Sequence, residues 1–388
     1  MRILLAHNEY QQRSGEDAVF RNEAALLASA GHDVKLVIVS NDNIKSKWDQ
    51  LVVAARLASN HRGVSVVTAA IQEFRPDIVH VHNFFPLISP AIYTACRDAN
   101  VPVVQTLHNY RPLCAAGTLE RLGRDCRLCV HGSPIWGVVH RCYRGSLLGS
   151  ASVARMIAVH RARGTWATKV DRYIALSEFG KRLFSSAGFP EDRIDIKPNF
   201  SSDPGDAQVG SPRRGVLFVG RVSHEKGIQY LVDACVSAGH QLRIIGTGPD
   251  LSTIRDRNHP NVQFLGSLSR EDVLTEMKRS AVVAAPSVWP EPFGLVVIEA
   301  LSCATPVVAT NVGAFPEIVE DGITGIIVPP SDVRALALGI TTLLDNPAKA
   351  QEMGRAARKA YLSKYTGARN LQILETIYTR TMAHHADI

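Results

Sequence analysis

Residues 216–232 read Val-Leu-Phe-Val-Gly-Arg-Val-Ser-His-Glu-Lys-Gly-Ile-Gln-Tyr-Leu-Val, and this stretch decides the fold. Its first four residues predict a buried strand, the glycine-bounded segment 220–227 predicts a loop, and a helix is expected to begin at Gly227 or just beyond. A continuously apolar strand followed by a helix is typical of a parallel sheet covered by helices on both faces. The stretch therefore predicts an α/β architecture.

The same alternation runs along the whole chain in two series. Apolar runs predict strands at 3–6, 34–39, 78–82, 101–107 and 173–176, with a helix at 16–30, and then again at 216–219, 242–245, 262–265, 282–285, 307–309 and 325–328. The polar stretch between the series, 201–215, is typical of a linker. We predict two Rossmann-like parallel-sheet domains, 1–205 and 206–365, facing each other across a ligand-binding cleft, and a C-terminal helix at 366–388 that packs back on the first domain.

Composition and charge narrow the class of protein. A chain of 388 residues with 46% hydrophobic and 20% charged residues is typical of a folded two-domain enzyme and excludes general disorder. The apolar N-terminal run 1–7 is too short for a signal sequence or a membrane span, so we expect a cytoplasmic protein.

The net charge of +7 is concentrated in residues 111–182, where thirteen Lys and Arg face four Asp and Glu, a local balance of +9. Such a surface suits anionic lipid, a diphosphate-bearing acceptor or nucleic acid, and an ordinary solvated basic face is the alternative.

The loop 220–227 carries two cations after a strand end. Arg221 offers a planar fork of donors and Lys226 a point charge, a combination that suits a diphosphate beside a helix N-terminus. The loop lacks the Gly-Lys-Ser/Thr ending of a P-loop, and no Gly-x-Gly-x-x-Gly follows any predicted strand, which disfavours triphosphate hydrolysis and dinucleotide redox chemistry. An ordinary surface turn is the alternative for this loop.

A second loop, Pro286-Ser-Val-Trp-Pro-Glu-Pro-Phe-Gly-Leu-Val-Val-Ile-Glu-Ala300, follows the strand predicted at 282–285. Its prolines fix a turn that holds Glu291, and Phe293-Gly294-Leu295 then opens a helix with free backbone amides. Glu299 falls within that helix, about one and a half turns in. Two carboxylates near an anion-binding helix start indicate a ligand site, with two solvated surface acids as the alternative.

These two loops, together with Ile245-Gly-Thr-Gly-Pro249 and Thr310-x2-Gly313-x2-Pro316-Glu317, resemble the retaining glycosyltransferases of family 4, which have the GT-B fold. The resemblance covers essentially the whole second half of the chain in the correct order. It implies that Arg221 and Lys226 hold the donor diphosphate, that Glu299 binds the ribose hydroxyls and that Glu291 binds hydroxyls of the transferred sugar. The remaining donor-binding residues it implies are Gly220, Gly246, Phe293, Gly294 and Leu295.

The resemblance also implies catalysis without a metal cofactor, and the chain contains no Asp-x-Asp motif. The first half resembles the family more loosely. Ser14-Gly15 occupies the place of a glycine-rich donor loop, with Ser14 where glycine is more usual. His108, at the end of a strand, matches the histidine that in the family faces the donor sugar, so the predicted catalytic residues are His108, Arg221, Lys226 and Glu291. The predicted acceptor-side residues are His82, Asn83, Asn109, Tyr110 and Arg111.

Four of the seven cysteines, Cys114, Cys126, Cys129 and Cys142, lie in the segment 111–145, which departs from the simplest form of the family. A Cys-x2-Cys pair flanked by two further cysteines suggests a structural zinc site in a cytosolic protein. His131 or His140 in place of one ligand, an iron–sulfur cluster and four free thiols are the alternatives. The other three cysteines lie in apolar stretches and are expected in the core.

The sequence thus predicts a sugar-nucleotide-dependent glycosyltransferase that acts on a glycan or lipid-linked acceptor in cell-surface polysaccharide synthesis. We expect peripheral contact with the anionic inner face of the plasma membrane and no nucleic-acid partner. A sugar-nucleotide epimerase or phosphorylase with a similar fold is the first alternative, and a nucleic-acid-binding protein built on the cysteine segment is the second.

Overall fold

The computed structural model describes residues 1–11, 15–205 and 213–386. The chain divides into two compact units. The first contains Met1–Leu119, Cys126–Pro198 and Asn370–Ile388, and the second contains Glu120–Asp125 and Asn199–Arg369.

Fourteen strands are formed by the described residues. They are β1 Arg2–Glu9, β2 Asp33–Ser40, β3 Ile78–Asn83, β4 Val103–Thr106, β5 Glu120–Arg121, β6 Arg124–Asp125, β7 Arg172–Ala175, β8 Ile194–Ile196, β9 Val216–Val219, β10 Leu242–Ile245, β11 Val262–Gly266, β12 Val282–Ala285, β13 Val307–Thr310 and β14 Gly325–Val328.

Each unit is built on one six-stranded parallel sheet. The first sheet has the order β2-β1-β3-β4-β7-β8 and the second has the order β11-β10-β9-β12-β13-β14, while β5 and β6 form a separate antiparallel pair. The strand order reverses beside β1 in the first sheet and beside β9 in the second. Ligands of open parallel sheets bind beyond the carboxyl ends of strands at such reversal points. The predicted α/β class with two parallel sheets is confirmed.

Helices connect the strands. They are α1 Gly15–Ser29, α2 Lys47–Arg56, α3 His61–Phe74, α4 Ile92–Asp98, α5 Leu128–His131, α6 Ile135–Val139, α7 Leu147–Ala162, α8 Thr165–Thr168, α9 Glu178–Ser186, α10 Ile228–Ser237, α11 Leu251–Arg255, α12 Arg270–Arg279, α13 Leu295–Ser302, α14 Phe315–Ile318, α15 Val333–Leu344, α16 Pro347–Lys364 and α17 Gly367–Ala386. Short 3-10 turns form at 41–43, 191–193 and 224–226.

The first core includes the C-terminal helix. Leu374, Ile377 and Tyr378 of α17 are buried against Ile3 of β1 and Phe20 of α1. Burying a large apolar side chain contributes about 1.5–3 kcal/mol, so α17 is an integral part of the first unit. In the second unit, apolar residues of β9, β10 and β12 pack against α10 and α15.

Within the described ranges, no helix combines the length and apolar character needed to cross a bilayer.

Candidate active site

The loop after β9 is held against the end of β12. Residues 224–226 form a 3-10 turn, and Gly227, with φ of +68°, then caps the start of α10. A Cβ atom at Gly227 would lie 1.9 Å from the carbonyl oxygen of Pro286. Glycine is therefore required both for the left-handed conformation and for the close approach of the two loops. The amide of Val288 also donates to the carbonyl of Glu225 at 2.9 Å.

The loop after β12 fixes Glu291 in a buried position. Ser287 Oγ donates to Glu291 Oε1 at 2.6 Å, and Thr310 Oγ1 donates to the Ser287 carbonyl at 2.6 Å. The Ala314 amide donates to the Glu291 carbonyl at 2.9 Å. Glu291 is only 5% exposed, so the expectation of a solvated surface acid does not hold.

Lys226 and Glu291 form an ion pair between the two loops. Lys226 Nζ lies 2.6 Å from Glu291 Oε1 and 5.4 Å from the centre of the Trp289 ring. Burying a carboxylate is unfavourable unless it is paired and hydrogen-bonded, and Lys226 and Ser287 together supply this compensation. Glu291 Oε2 has no hydrogen-bond partner among the described residues and is not sealed from solvent. This oxygen is available to accept a hydrogen bond from a ligand.

Arg221 supplies a second cation to the same loop. Its side chain is exposed, and its guanidinium forms no hydrogen bond or ion pair within the described part of the chain. Gly220 follows β9 and Gly246 follows β10, and the Gly220 amide donates to the Ile245 carbonyl at 3.0 Å. These two glycines place the backbone of adjacent strand ends side by side.

Helix α13 begins with unpaired backbone donors. The amides of Phe293, Gly294 and Leu295 donate to no acceptor among the described residues, and Gly294 caps the helix without a side-chain hydrogen bond. Phe293 is buried, and its ring centre lies 6.0 Å from that of Tyr365. The start of α13 thus presents free amides and a positive helix-dipole end near the Lys226–Glu291 pair, a combination that favours anion binding.

Glu299 lies four residues after the first residue of α13. Its side chain is 19% exposed, and Arg270 Nη2 lies 3.6 Å from Glu299 Oε1. Burial raises the pKa of the Glu299 carboxyl, and the Arg270 guanidinium offsets only part of that effect. Such an incompletely paired carboxylate gains from ligand hydroxyl donors.

In the first unit, His108 lines a small pocket at the end of β4. His82, Asn83, Asn109 and Arg111 line the same pocket, so the structure brings together five of the six residues predicted there as catalytic or acceptor-side. Asn109 Nδ2 donates to Glu16 Oε1 at 2.6 Å. The Arg111 guanidinium lies 4.4 Å from the centre of the Phe85 ring and also donates to the Ala115 carbonyl, so packing fixes its orientation.

Tyr110 and the Ser14-Gly15 loop remain to be placed. Tyr110 is fully buried, with its ring centre 6.1 Å from that of Phe184, and so supports the pocket from the core instead of lining it. Gly15 is the first residue of α1. Ser14 lies outside the described residues.

Sequence reasoning missed Glu23 and Lys197, which the structure places next to the predicted histidines. Lys197 Nζ lies 2.6 Å from Glu23 Oε2, and Glu23 Oε1 lies 3.2 Å from His82 Nε2. Glu23 lies on the buried face of α1 with Phe20 and Leu27. A carboxylate at a core position of an amphipathic helix was the available signal, because such a group requires a buried partner.

The four cysteines of segment 111–145 lie in the first unit, and none of them forms a disulfide bond. Burial, followed by the thiol of Cys114, raises the pKa of Cys129 to about 11, and Cys142 and Cys126 also contribute. The other three thiols therefore lie within electrostatic range of Cys129. The three cysteines expected in the core, Cys96, Cys235 and Cys303, are fully buried.

Comparison with known protein families identifies the class of enzyme to which this chain belongs. The model for a glycosyl transferase 4-like domain matches residues 14–199, and the model for glycosyl transferases group 1 matches residues 204–360. Two parallel-sheet α/β units with these matches define a glycosyltransferase of the GT-B type. The chain belongs to the glycosyltransferases that join a 4-like N-terminal domain to a group 1 C-terminal domain, which confirms the resemblance found in the sequence.

Relatives and solved structures agree with this assignment. The chain is 26% identical to glycogen synthase of Mycobacterium tuberculosis over 94% of its own length and 91% of the relative. It is 31% identical to phosphatidyl-myo-inositol mannosyltransferase of Mycobacterium leprae over 55% of its length and 61% of that protein. Sucrose-phosphate synthase of Thermosynechococcus elongatus has a TM-score of 0.74 at 21% identity over 99% of both chains. Anabaena Alr3699/HepE in complex with UDP has a TM-score of 0.68 at 19% identity, over 98% of this chain and 100% of that one.

Proposed function

We propose that this protein is a retaining, family 4 glycosyltransferase that moves a sugar from a nucleoside-diphosphate sugar to a hydroxyl of a glycan or lipid-linked acceptor. The observation that carries the proposal is the Lys226–Glu291 pair next to the free amides of residues 293–295. Cations and amides of this kind bind a diphosphate, while the neighbouring carboxylate binds sugar hydroxyls. The solved structures of Anabaena Alr3699/HepE with UDP and UDP-glucose support the same donor class.

Each donor-site residue has a distinct role in the proposed reaction. Arg221, Lys226 and the start of α13 stabilise the negative charge that develops on the departing diphosphate. Glu291, anchored through Oε1, accepts a hydrogen bond from the transferred sugar at Oε2. Glu299 accepts hydrogen bonds from the ribose, and His108 contributes a ring nitrogen to the transferred sugar. These cations and amides supply the positive charge that a metal ion supplies in other transferases, so we propose metal-independent catalysis.

Lys226→Ala tests the donor site. We expect kcat/KM for the donor to fall about 100-fold, since removing one preorganised charge-stabilising donor costs about 3 kcal/mol. Lys349→Ala is the matched control, because Lys349 is an exposed lysine on α16 whose side chain has no partner among the described residues. Equal rates for the two variants would contradict the assigned role of Lys226.

A donor screen and an acceptor requirement separate the proposed activity from its alternatives. Thermal unfolding with UDP-, GDP- and ADP-sugars identifies the donor, because a ligand that binds only the folded state raises the melting temperature. Radiolabelled donor is then incubated with and without acceptor glycans. Transfer that requires an acceptor supports a glycosyltransferase, conversion without an acceptor indicates an epimerase, and a requirement for inorganic phosphate indicates a phosphorylase.

We further propose that the protein acts in cell-surface polysaccharide synthesis and that it does so in contact with an anionic membrane. The support is a surface of the first unit formed by α6, the start of α7 and the turn between them, which we call the α6–α7 surface. It exposes apolar side chains and is flanked by the exposed cations Arg141 and Arg144. Its exposed apolar residues are Ile135, Trp136, Val139, Leu147 and Leu148. Apolar side chains flanked by cations suit the interface of an anionic bilayer.

We also propose that Cys114, Cys126, Cys129 and Cys142 bind one structural zinc ion. The Cys142 amide donates to the Gly137 carbonyl at 2.9 Å, and a Cβ at Gly137 would lie 3.9 Å from Cys129 Sγ, so the turn at Gly137 lies beside both Cys129 and Cys142. The thiols must rotate inward, because within the described ranges no three of their sulfur atoms lie within 4.8 Å of one another. Elemental analysis should give one zinc per wild-type chain and none for Cys126→Ser/Cys129→Ser. Iron in place of zinc, or no metal, would overturn the proposal.

A further inference from the structure

A continuous chain of buried polar groups connects Lys197 to His108 in the first unit. Lys197 Nζ lies 2.6 Å from Glu23 Oε2, Glu23 Oε1 lies 3.2 Å from His82 Nε2, and His82 Nδ1 lies 3.0 Å from His108 Nε2. Glu23, His82 and Lys197 are each at most 2% exposed. The chain ends at His108, which lines the pocket with His82 and is the most exposed of the four residues, at 7%.

The central contact of this chain joins two buried polar atoms, Glu23 Oε1 and His82 Nε2. Neither Glu23 Oε1 nor His82 Nε2 has another hydrogen-bond partner among the described residues, and both are buried. At 3.2 Å they lie within hydrogen-bond distance, and they are closer than His80 Nδ1, which lies 3.4 Å from the same oxygen and 2.7 Å from Tyr378 Oη. Because leaving both groups unsatisfied is costly, they pair with each other.

The protonation state of the chain follows from burial and charge. Burial opposes ionisation of Glu23, but the Lys197 ammonium and then His82 hold the pKa of the Glu23 carboxyl well below its usual range. Burial lowers the pKa of His82 and lowers that of His108 to well below its usual range, where His82 also contributes. Near neutral pH the row Lys197–Glu23–His82–His108 therefore contains an ammonium, a carboxylate and two neutral imidazoles.

Because His82 and His108 are neutral and Glu23 is a carboxylate, the hydrogen bonds between these three residues can run in only one direction. The Glu23 carboxylate can only accept, so His82 Nε2 must carry a proton, which leaves a lone pair on His82 Nδ1. His108 Nε2 must then donate to that lone pair. The two rings lie nearly in one plane, with an interplanar angle of 24° and centroids 5.1 Å apart, which directs the N–H of one ring at the nitrogen of the other.

The other nitrogen of His108 is the functional end. His108 Nδ1 has no hydrogen-bond partner within the described part of the chain, and it retains accessible surface in a residue that lines the pocket. With the proton on Nε2, Nδ1 carries a lone pair and can only accept.

We propose that Glu23 and Lys197 are positioning residues that hold His108, through His82, in the Nε2–H tautomer, so that His108 Nδ1 accepts a hydrogen bond from a ligand hydroxyl. The tautomer follows from the buried chain alone. That the hydroxyl belongs to a sugar rests on the proposed glycosyltransferase function. His108 is thereby a fixed acceptor and not a proton donor.

A metal ion is the rival explanation for this cluster, because ligand atoms of Glu23, His80 and His82 lie within 4.8 Å of one another. The Lys197 ammonium, already 2.6 Å from Glu23, occupies the position of the balancing cation and would repel a second one. His80 is also fully engaged, since Nδ1 lies 2.7 Å from Tyr378 Oη and Nε2 lies 2.7 Å from Thr106 Oγ1. The neighbouring His7 is held separately by Asp17 at 2.8 Å.

Nitrogen-15 NMR of histidine-labelled full-length protein tests the tautomer directly. The two-bond correlations of an imidazole distinguish Nε2–H, Nδ1–H and the imidazolium, and loss of one pattern in His108→Gln assigns His108. We expect Nε2–H for His108 in the wild type across neutral pH. An Nδ1–H pattern or an imidazolium at His108 would overturn the proposal.

Glu23→Gln should reverse the direction of the hydrogen bonds that run from residue 23 through His82 to His108. Lys197 retains the amide oxygen because an ammonium only donates, so the amide NH2 faces His82 Nε2 and donates to it. His82 then carries its proton on Nδ1 and donates to His108, which changes to the Nδ1–H tautomer. We expect this change in the spectrum together with an increase in the KM for donor or acceptor on the order of tenfold, as for one lost hydrogen bond.

Tyr378→Phe is the matched control, since it removes a buried hydroxyl from His80 and leaves the chain to His108 intact. It should retain the Nε2–H tautomer of His108 and an unchanged KM. An unchanged tautomer in folded Glu23→Gln would contradict the proposal. A reversed tautomer in a protein without transferase activity would instead retain the positioning role and contradict only the proposed function.

Discussion

At the scale of single residues, the donor site depends on a carboxylate whose burial is energetically unfavourable. Glu291 is tolerated at 5% exposure because Lys226 and Ser287 both contact the same oxygen at 2.6 Å. The sequence predicted each of Lys226 and Glu291 as a ligand-binding residue but did not predict that they contact each other. They are 65 residues apart, and only the adjacency of β9 and β12 in the sheet brings their loops together.

Gly313→Ala should destabilise the loop that holds Glu291 by more than backbone strain alone explains. A Cβ at Gly313 would lie 2.2 Å from the Glu291 carbonyl oxygen, and φ is +55°, so both a clash and strain are introduced. Gly322→Ala is the matched control, because Gly322 has φ of +76° with nothing within 4 Å of its added Cβ. A left-handed conformation costs a non-glycine residue about 1–2 kcal/mol. We expect a larger drop in melting temperature and weaker donor binding for Gly313→Ala only; similar losses in both variants would exclude the clash as the cause.

Glu299→Gln should separate stability from function. Because the folded-state pKa of Glu299 is raised, the native state binds more protons than the unfolded state above the ordinary carboxyl pKa, and this residue's contribution to stability falls as pH rises through that window. The glutamine variant lacks this loss. We expect its melting temperature at pH 7 to equal or exceed that of the wild type, with the difference disappearing near pH 4, while donor affinity decreases. Unfolding curves at several pH values measure the first effect and calorimetric titration with the donor measures the second; a variant less stable at pH 7 than the wild type would contradict the argument.

At the scale of elements, apolar runs predicted several strands of the second sheet closely. The predicted 216–219, 242–245, 282–285 and 325–328 agree with β9, β10, β12 and β14. The strand predicted at 101–107 is shorter, Val103–Thr106, because a proline at 102 cannot donate to the sheet. Strand β8 was not predicted, since Ile194-Asp-Ile196 is a three-residue edge strand with a polar centre. Apolar runs thus identify even the edge strand β14, but not an edge strand as short and polar as β8.

Helix α1 shows the limit of such patterns. The helix predicted at 16–30 is observed at Gly15–Ser29, but its Glu23 pairs with Lys197, 174 residues later in the sequence. The position of Glu23 on the helix indicates burial, but nothing local identifies Lys197 as its partner. Networks that join distant elements are visible only once the fold is known.

The C-terminal helix α17 should be as necessary to the first unit as a central strand. Leu374 is fully buried in the first core, so Leu374→Ala creates a cavity and should destabilise the unit by about 2–5 kcal/mol. Leu362→Ala is the control, because Leu362 lies on α16 at 49% exposure. Chemical denaturation measures both variants. Equal stability would mean that α17 contributes little to the first core.

At the scale of the whole molecule, charge is divided unequally. The net charge is +9 for residues 111–182 and +7 for the whole chain, so the remaining residues carry +7 − 9 = −2. The α6–α7 surface lies within that basic segment and adds exposed apolar side chains to it. A positive, partly apolar surface on an otherwise slightly acidic protein orients the molecule when it meets an anionic bilayer.

Vesicle binding tests this orientation with a closely matched pair of leucines. Leu148 on the α6–α7 surface is 67% exposed, and Leu338 on α15 is 69% exposed. Leu148→Ala should weaken sedimentation with phosphatidylglycerol vesicles, whereas Leu338→Ala should not, because only Leu148 inserts at the bilayer interface. Arg141→Glu/Arg144→Glu should weaken binding further, by about 1 kcal/mol for each lost cation near the surface.

Salt and lipid composition supply the second half of the test. Electrostatic attraction is screened within about 8 Å at physiological ionic strength, so added salt should release the wild type from phosphatidylglycerol vesicles progressively. Phosphatidylcholine vesicles, which have no net charge, should bind it weakly at every salt concentration. Equal binding to both lipids, or equal losses in the two leucine variants, would show that the α6–α7 surface does not dock on an anionic membrane and would leave the basic segment as a solvated face.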